Sequence, residues 1–559
     1  MSATTTPRPR SGLVRATAVM ASGSLVSRLL GLASKSLLTL LLGASAANLA
    51  ANAFDVANKM PNLIYALVAG GALNAVLVPQ IVRADKDGAR GREFLDRLFT
   101  MATVGLLGLT VVLTLAAGPL VDLYTGGEWR DPQRDLGVAF ALWCIPQLFF
   151  YGMYTLFGQL LNARGSFGPY TWAPVVNNVF AIGGLVAFLA LYGQQRVTDL
   201  STWTPAMVAL LAGTATAGVA AQALVLVLPL RRIGFSWRPR WGLRGVGFRA
   251  AGTVAGWTFG GIVVSQLVFL LVSRVGAAAQ SETEGTALAA VTASNTAWTL
   301  AFLLYMLPHG LLAVSLVTAV FTRVSRAAHE GDTAAVASVT ATQMRVLLVG
   351  MLLPAAGLVV LGPAITTLLF QQTSEEAAVV GRVVIAMALG LPFFSVLYLV
   401  RRVFYAFEDG RTPFLVTLVT AGVWAAGTVV LPTLLPPTWW VPAVAASMSA
   451  GEVAGLAAAV VLLHRRMGGG LEVRRWLWVL VRALLVLAVV APLAHLAAQA
   501  TGGVGSAGEA LVSVVVGGAV LVVGYVLGTV LLRVRESREL VALVAGRLGR
   551  AGGRASSRT

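Results

Sequence analysis

The sequence predicts an all-α integral membrane protein of fourteen transmembrane helices. They form two pseudo-symmetric six-helix lobes followed by two C-terminal helices. Three observations carry the prediction. The 559 residues are 57% hydrophobic and only 11% charged, with a mean hydropathy of +0.80, which no soluble domain matches. Apolar windows of roughly 20 residues, the length a bilayer requires, recur from end to end with short loops between them. The chain also repeats itself. With Tyr65 laid over Tyr305, Leu67 meets Leu307, Gly70 meets Gly310, Arg83 meets Arg323 and Gly91 meets Gly331, while Pro169 and Pro413 each follow a glycine-and-arginine turn. Two related lobes in parallel orientation imply a cavity that can open to either side.

Taken in order, a polar, basic tail (1–12) precedes a first helix too long, and too polar on one face, for a cleaved signal peptide; it reads as an uncleaved span. The spans fall at 13–43, 50–83, 94–125, 135–162, 171–193, 203–230, 246–273, 286–322, 335–370, 377–406, 413–434, 440–464, 475–499 and 508–533. Several exceed a bilayer's need and therefore tilt or protrude. The lobes are assigned to 13–232 and 233–466, the appended helices to 467–533, and a basic tail to 534–559. No loop is long enough for a soluble domain. The single cysteine, Cys144, excludes an internal disulfide.

The net charge of +18 could suggest nucleic acid, but its placement speaks for topology. With a cytoplasmic amino terminus, 31 of the 41 Lys and Arg residues fall on inside segments and 5 outside. This is the asymmetry of a plasma-membrane protein with both termini inside, and it makes a nucleic-acid reading unnecessary. Only three lysines occur, a bias that fits a GC-rich genome.

Arg28, Lys35, Lys59, Arg345 and Arg482 lie within spans, where a charge is costly and marks function by default. In span 1, Ser24, Ser27, Arg28, Gly31, Ser34 and Lys35 recur at helical spacing as one polar stripe. In span 2, Asn52, Asp55, Lys59 and Asn62 form another, with Asp55 and Lys59 four apart and able to pair. Small and polar residues also glue helices together, which suffices for the serines. It does not account for three cations facing one acid. The surplus suits a dianion, and arginine suits a diphosphate. Pro61 removes a backbone donor within span 2, and Gly70 and Gly71 allow a bend; with Pro308 in the second copy, these are the candidate hinges.

Glu452, a lone acid in span 12, is a proton or cation site or else half of a structural pair across helices. His309 could titrate, although a hydrogen-bonded interior histidine is the plainer reading. Asn177, Asn178 and Asn295 are read as interhelical hydrogen bonders, and Gly252, Gly256 and Gly260 as a close-packing face. No GxxxxGK[ST] loop, zinc-ligand spacing or nucleophile–base pair occurs, so neither an enzyme nor a bound metal or cofactor is expected.

Five segments carry a resemblance: SRLLGLASKSLL (27–38), NAFDVANKMPNL (52–63), QLLNARGSFGPYTWAPVVNN (159–178), LPHGLLAVSLVTAVFTRVSRAAHEGD (307–332) and RRVFYAFEDGRTPF (401–414). Together they resemble the MurJ/MviN family of lipid II flippases, within the MOP exporter superfamily that also holds the MATE transporters. The resemblance implies fourteen helices in two lobes around a cationic cavity, and a groove for the lipid tail in spans 13 and 14. It also implies outward movement of an undecaprenyl-diphosphate-linked disaccharide pentapeptide, a peptidoglycan precursor, by alternating access. Cell-wall synthesis or division proteins would be the protein partners. The family's first-span Ser-Arg pair matches Ser27 and Arg28, and its span-2 lysine matches Lys59. Elsewhere the chain departs from the pattern. A second span-1 arginine is Ser34, beside Lys35. The acid near the start of span 2 is Asn52, with Asp55 one turn on. An Arg-Arg pair is Tyr65-Ala66, a glutamate is Gly70, and a span-8 arginine is Leu303. Such departures resemble a divergent branch found in high-GC Gram-positive bacteria.

Other readings stay open at the level of sequence. One is a polysaccharide-lipid flippase or a drug/cation antiporter of the same superfamily. Another is a non-transporting scaffold for cell-wall enzymes, which the missing arginines allow and the retained buried charges oppose. An integral-membrane glycosyltransferase would need a large outer loop bearing acids, and none is present.

Overall fold

The computed structural model describes residues 10–68, 88–196, 199–242, 253–501 and 503–537. Among them all regular secondary structure is helical, apart from one antiparallel bridge between Ser45 and Ala293. The helices are α1 (Arg10–Leu42), α2 (Leu49–Val68), α3 (Gly88–Leu115), α4 (Ala117–Thr125), α5 (Asp131–Cys144), α6 (Gln147–Ala163), α7 (Phe167–Tyr192), α8 (Pro205–Leu224) and α9 (Val227–Arg232). They continue as α10 (Thr253–Thr283), α11 (Asn295–Pro308), α12 (Val314–His329), α13 (Thr333–Phe370), α14 (Ser374–Ala388), α15 (Leu391–Ala406), α16 (Arg411–Leu434), α17 (Trp440–Arg466), α18 (Val473–Ala500) and α19 (Ala507–Leu531).

Among the described residues twelve helical stretches are long and apolar enough to cross a membrane, and thirteen if α14 and α15, bent by 43° at their junction, count as one. The chain is a multi-pass membrane protein. The expected total of fourteen additionally needs the span at 50–83, which is described only to Val68; Gly70 and Gly71, two of the expected hinges, lie outside the described residues. Several predicted spans prove to be broken pairs. The one at 135–162 is α5 and α6, which meet at Pro146, a residue with no amide proton to continue the first helix. Pro61 is buried within α2, which continues through it. At Pro308 the helix ends in a single π turn, His309–Ala313, before α12 resumes. Such turns absorb an extra residue at sites under local constraint.

The chain divides into two compact units: 1–43 with 48–262, and 44–47 with 263–559. In the first, α1 packs on α7, α7 on α8, α2 on α5 and α6, and α3 on α6. In the second, α16 packs on α17, α11 on α14, and α12 and α13 on α15. Phe269 of α10 meets Trp424 of α16 edge-on. The pairs α2–α5, α3–α6 and α7–α8 thus recur as α11–α14, α13–α15 and α16–α17, as the offset between Tyr65 and Tyr305 requires. The second unit adds α18 and α19, which pack on each other and on α13. Where α16 and α17 touch, an added Cβ on Gly427 would fall 2.3 Å from the Ser447 side chain, and one on Gly451 2.6 Å from the Thr420 carbonyl. Close backbone approach of this kind is how helices associate in lipid. Gly256, expected on a packing face, meets no described neighbour, and Gly252 lies outside the described residues.

Candidate functional site

The end of α1 fixes where its polar stripe sits. Arg196 reaches back from the loop after α7, its Nε donating to the Leu40 carbonyl at 2.9 Å and an Nη to that of Thr39 at 3.3 Å. The Thr39 carbonyl also accepts from the Gly43 amide at 2.8 Å, and a cation beside C-terminal carbonyls is favoured by both hydrogen bonding and the helix dipole. Gly43 then turns with φ +81°, where a Cβ would lie 2.4 Å from the Asn48 side chain; the residue is glycine for both reasons.

The stripe of α1 divides in two. Ser27 and Gly31 face α7, where Asn178 Nδ2 donates to the Ser27 carbonyl at 2.8 Å and to its Oγ at 3.3 Å. An added Cβ on Gly31 would lie 3.7 Å from Asn178. Ser27 is thus tied to a neighbouring helix, as the gluing reading expects, and Ser34 is half-buried. Arg28 and Lys35 lie two turns apart, about 10 Å along the axis. Arg28 is exposed and Lys35 half-buried.

On α2, Lys59 Nζ lies 2.5 Å from Asp55 Oδ2, with the aspartate side chain only 6% exposed and the lysine 29%. The pair expected from an i, i+4 spacing is made, and it offsets the cost of burying the carboxylate. Lys35 is close enough to both to be drawn to Asp55 and repelled by Lys59. The structure therefore brings Lys35, Asp55 and Lys59 together. Asn52 is fully buried and donates to the carbonyl of Asn48, the residue just before α2, at 3.0 Å. Asn62 is exposed.

Beside Lys59 is a polar network that the sequence reading missed. Gln147, 1% exposed at the start of α6, donates to Asn58 Oδ1 at 3.0 Å and to Thr216 Oγ1 at 3.1 Å. The Tyr151 hydroxyl donates to Gln147 Oε1 at 3.4 Å, and the Tyr65 hydroxyl hydrogen-bonds Thr155. The signal was present: a lone amide in an apolar run directly after Pro146 needs an interhelical partner.

In the second unit, Asn295 Nδ2 donates to the Ser273 carbonyl at 3.0 Å, and His309 Nδ1 lies 3.0 Å from Ser395 Oγ, both as expected of buried polar groups. Glu452 is buried, and its Oε2 has no hydrogen-bond partner among the described residues. Its surroundings include Arg401 and the Tyr305 hydroxyl, the latter also without a partner. Among the described residues no group of His, Cys, Asp and Glu side chains could hold a metal ion.

Residues 40–515 match the family described as lipid II flippase MurJ. A probable lipid II flippase MurJ of Rhizobium meliloti (strain 1021) is 28% identical over 441 residues, covering 76% of each chain. A solved lipid II flippase MurJ in an inward closed conformation superposes with a TM-score of 0.69 at 18% identity, over 92% of this chain and 99% of that one. An inward-facing multidrug resistance MATE family transporter of the MOP superfamily gives 0.61 at 14% identity, over 80% and 98%. At such identities the solved structures establish the all-helical MOP-type fold. The family itself rests on the match over most of the length: this chain belongs to the lipid II flippase MurJ family.

Proposed function

We propose that the protein is a lipid II flippase, a transporter and not an enzyme, with Arg28, Lys35 and Lys59 receiving the substrate's diphosphate. It moves the undecaprenyl-diphosphate-linked disaccharide pentapeptide from the inner to the outer leaflet by alternating access. The observation that carries the site is the Asp55–Lys59 pair with Lys35 in electrostatic reach of both, three titratable groups on the first two helices of a membrane bundle. Intramembrane charge of this density is functional by default, and cations this close to one acid suit an anionic ligand. Ser27 and Ser34 flank the cations on α1, and Asn52 and Asn62 flank the pair on α2. Arg28→Ala with Lys59→Ala should abolish complementation of a flippase-depleted strain while the protein accumulates normally. Full complementation would remove the assignment. Purified protein should bind lipid II in preference to carriers lacking the disaccharide.

Glu452 is the candidate proton or cation site of the second unit, on the strength of its burial and unpartnered oxygen. Transport driven by an imposed ion gradient should vanish in Glu452→Gln if this is so, and persist if the residue is structural. Both termini are assigned to the cytoplasm on the arginine distribution. Cysteines at Ser201 and Ala287, both exposed, should react with an impermeant reagent from outside, and those at Glu330 and Thr333 should not. The native Cys144 is buried and will not compete.

A further inference from the structure

Arg345 and Arg482 are the two remaining charges within spans, and the structure explains them together. Arg345 on α13 is clamped between two acids: its Nη1 lies 2.6 Å from Glu472 Oε2, before α18, and its Nε 2.7 Å from Glu536 Oε1, after α19. Those two glutamates form one side of a cavity of about 770 Å³ between the start of α18 and the end of α19. The rest of its charged lining is Arg474, Arg475, Arg482, Arg533 and Arg535. Five arginines thus line the cavity with two carboxylates that Arg345 already occupies; among the described residues Arg475 alone of the five adds an ion pair, at 3.2 Å to Glu472.

Three features give this cavity a direction. Arg474, Trp478 and Arg482 are spaced four apart and so share one face of α18. Trp478, 54% exposed in the lining, sits as tryptophans do at the level of lipid headgroups. Arg482 lies nine residues into the helix, roughly 14 Å from its first residue, and an arginine at that depth turns its head back towards the interface. Exposed Leu477, Val481, Leu484 and Leu485 continue along the helix as surface for acyl chains.

We infer that this cavity binds the phosphate of a lipid headgroup in the leaflet where α18 begins and α19 ends. Guanidinium forks engage phosphate oxygens bidentately, and basic pockets between membrane helices favour phosphate-bearing lipids. The site lies outside the Arg28–Lys59 cluster and stands independently of it. The phosphate could belong to an anionic phospholipid or to a polyprenyl diphosphate.

The test is lipid retention by the purified full chain, measured by native mass spectrometry, with phosphatidylglycerol, phosphatidylcholine of the same acyl chains, undecaprenyl diphosphate and inorganic diphosphate as probes. Arg474→Gln with Arg535→Gln leaves Arg345, Glu472 and Glu536 intact, and an unchanged thermal midpoint confirms the fold. At about fivefold per arginine near the membrane surface, the double variant should retain at least tenfold less phosphatidylglycerol, with phosphatidylcholine unaffected and Arg28→Ala/Lys59→Ala unchanged. Arg482→Gln alone should give a smaller loss in the same direction. If only undecaprenyl diphosphate retention falls, the phosphate is that of the carrier lipid. Unchanged retention of both lipids, or displacement of both by inorganic diphosphate at equal concentration, would overturn the inference.

Discussion

The two units repeat one helical pattern, yet their second helices carry opposite chemistry. Under the offset that places Tyr65 on Tyr305, Asp55 corresponds to Asn295 and Lys59 to Thr299. In the first unit these positions hold an ion pair. In the second they hold a neutral chain, in which Asn295 donates to Ser273 and Thr299 Oγ1 donates to the Asn295 carbonyl at 3.1 Å. No charged residue occurs in α11 at all. One backbone arrangement therefore tolerates either solution, so packing does not demand the charge. A buried pair is worth little to stability compared with a neutral substitute of similar shape. Its presence in one copy only is what the proposed diphosphate site predicts.

The largest effect should come from erasing the difference. Asp55→Asn with Lys59→Thr gives α2 the chemistry of α11; flipping in reconstituted vesicles should fall at least tenfold while membrane abundance holds. Equal loss of abundance would mean that the pair is structural and that the comparison misleads. Asp55→Asn alone sharpens the point. If an arriving diphosphate competes with Asp55 for Lys59, lipid II binding should survive or tighten while flipping declines, because a ligand shifts a conformation only through differential affinity. Normal affinity with normal flipping would remove Asp55 from the scheme. In the second unit, Asn295→Ala should cost about 0.6 to 1.7 kcal/mol, read as a lowered thermal midpoint in detergent, with lipid II affinity unchanged. Smallest is Thr299→Ala, which removes the hydroxyl bond to the Asn295 carbonyl one turn back; a few tenths of a kcal/mol is expected.

What the sequence disclosed, and what it withheld, follows the range of each interaction. The Asp55–Lys59 pair was legible because four residues on a helix fix its geometry. The bonds of Asn178, Asn295 and His309 were legible as needs without named partners: a polar group among apolar neighbours must be satisfied, but nothing local says by what. Arg345 shows the limit. Its two glutamates lie 127 and 191 positions away, and only the packing of α13 against α18 and α19 brings them together. Gln147 was overlooked for the same reason, since Asn58 and Thr216 are on different helices. Pro61 was legible as a missing backbone donor, but that α2 continues through it could be seen only in the structure. The repeat, by contrast, was read from a handful of matched positions, and it survives as shared neighbours in both units.

The contact between Arg196 and α1 has a consequence for how the chain is made. The carbonyl of Leu40, in the last turn of that helix, is closed by a residue 156 positions later. At roughly 5 to 20 residues per second of synthesis, the end of the first helix waits about 8 to 30 s for its partner to leave the ribosome. During that interval its last turn must be satisfied by water, with the α1–α2 corner still unlocked. The last turn of the first helix is thus completed only after the fifth span has emerged, and the corner that follows it, whose Ser45 bridges to Ala293, only later still.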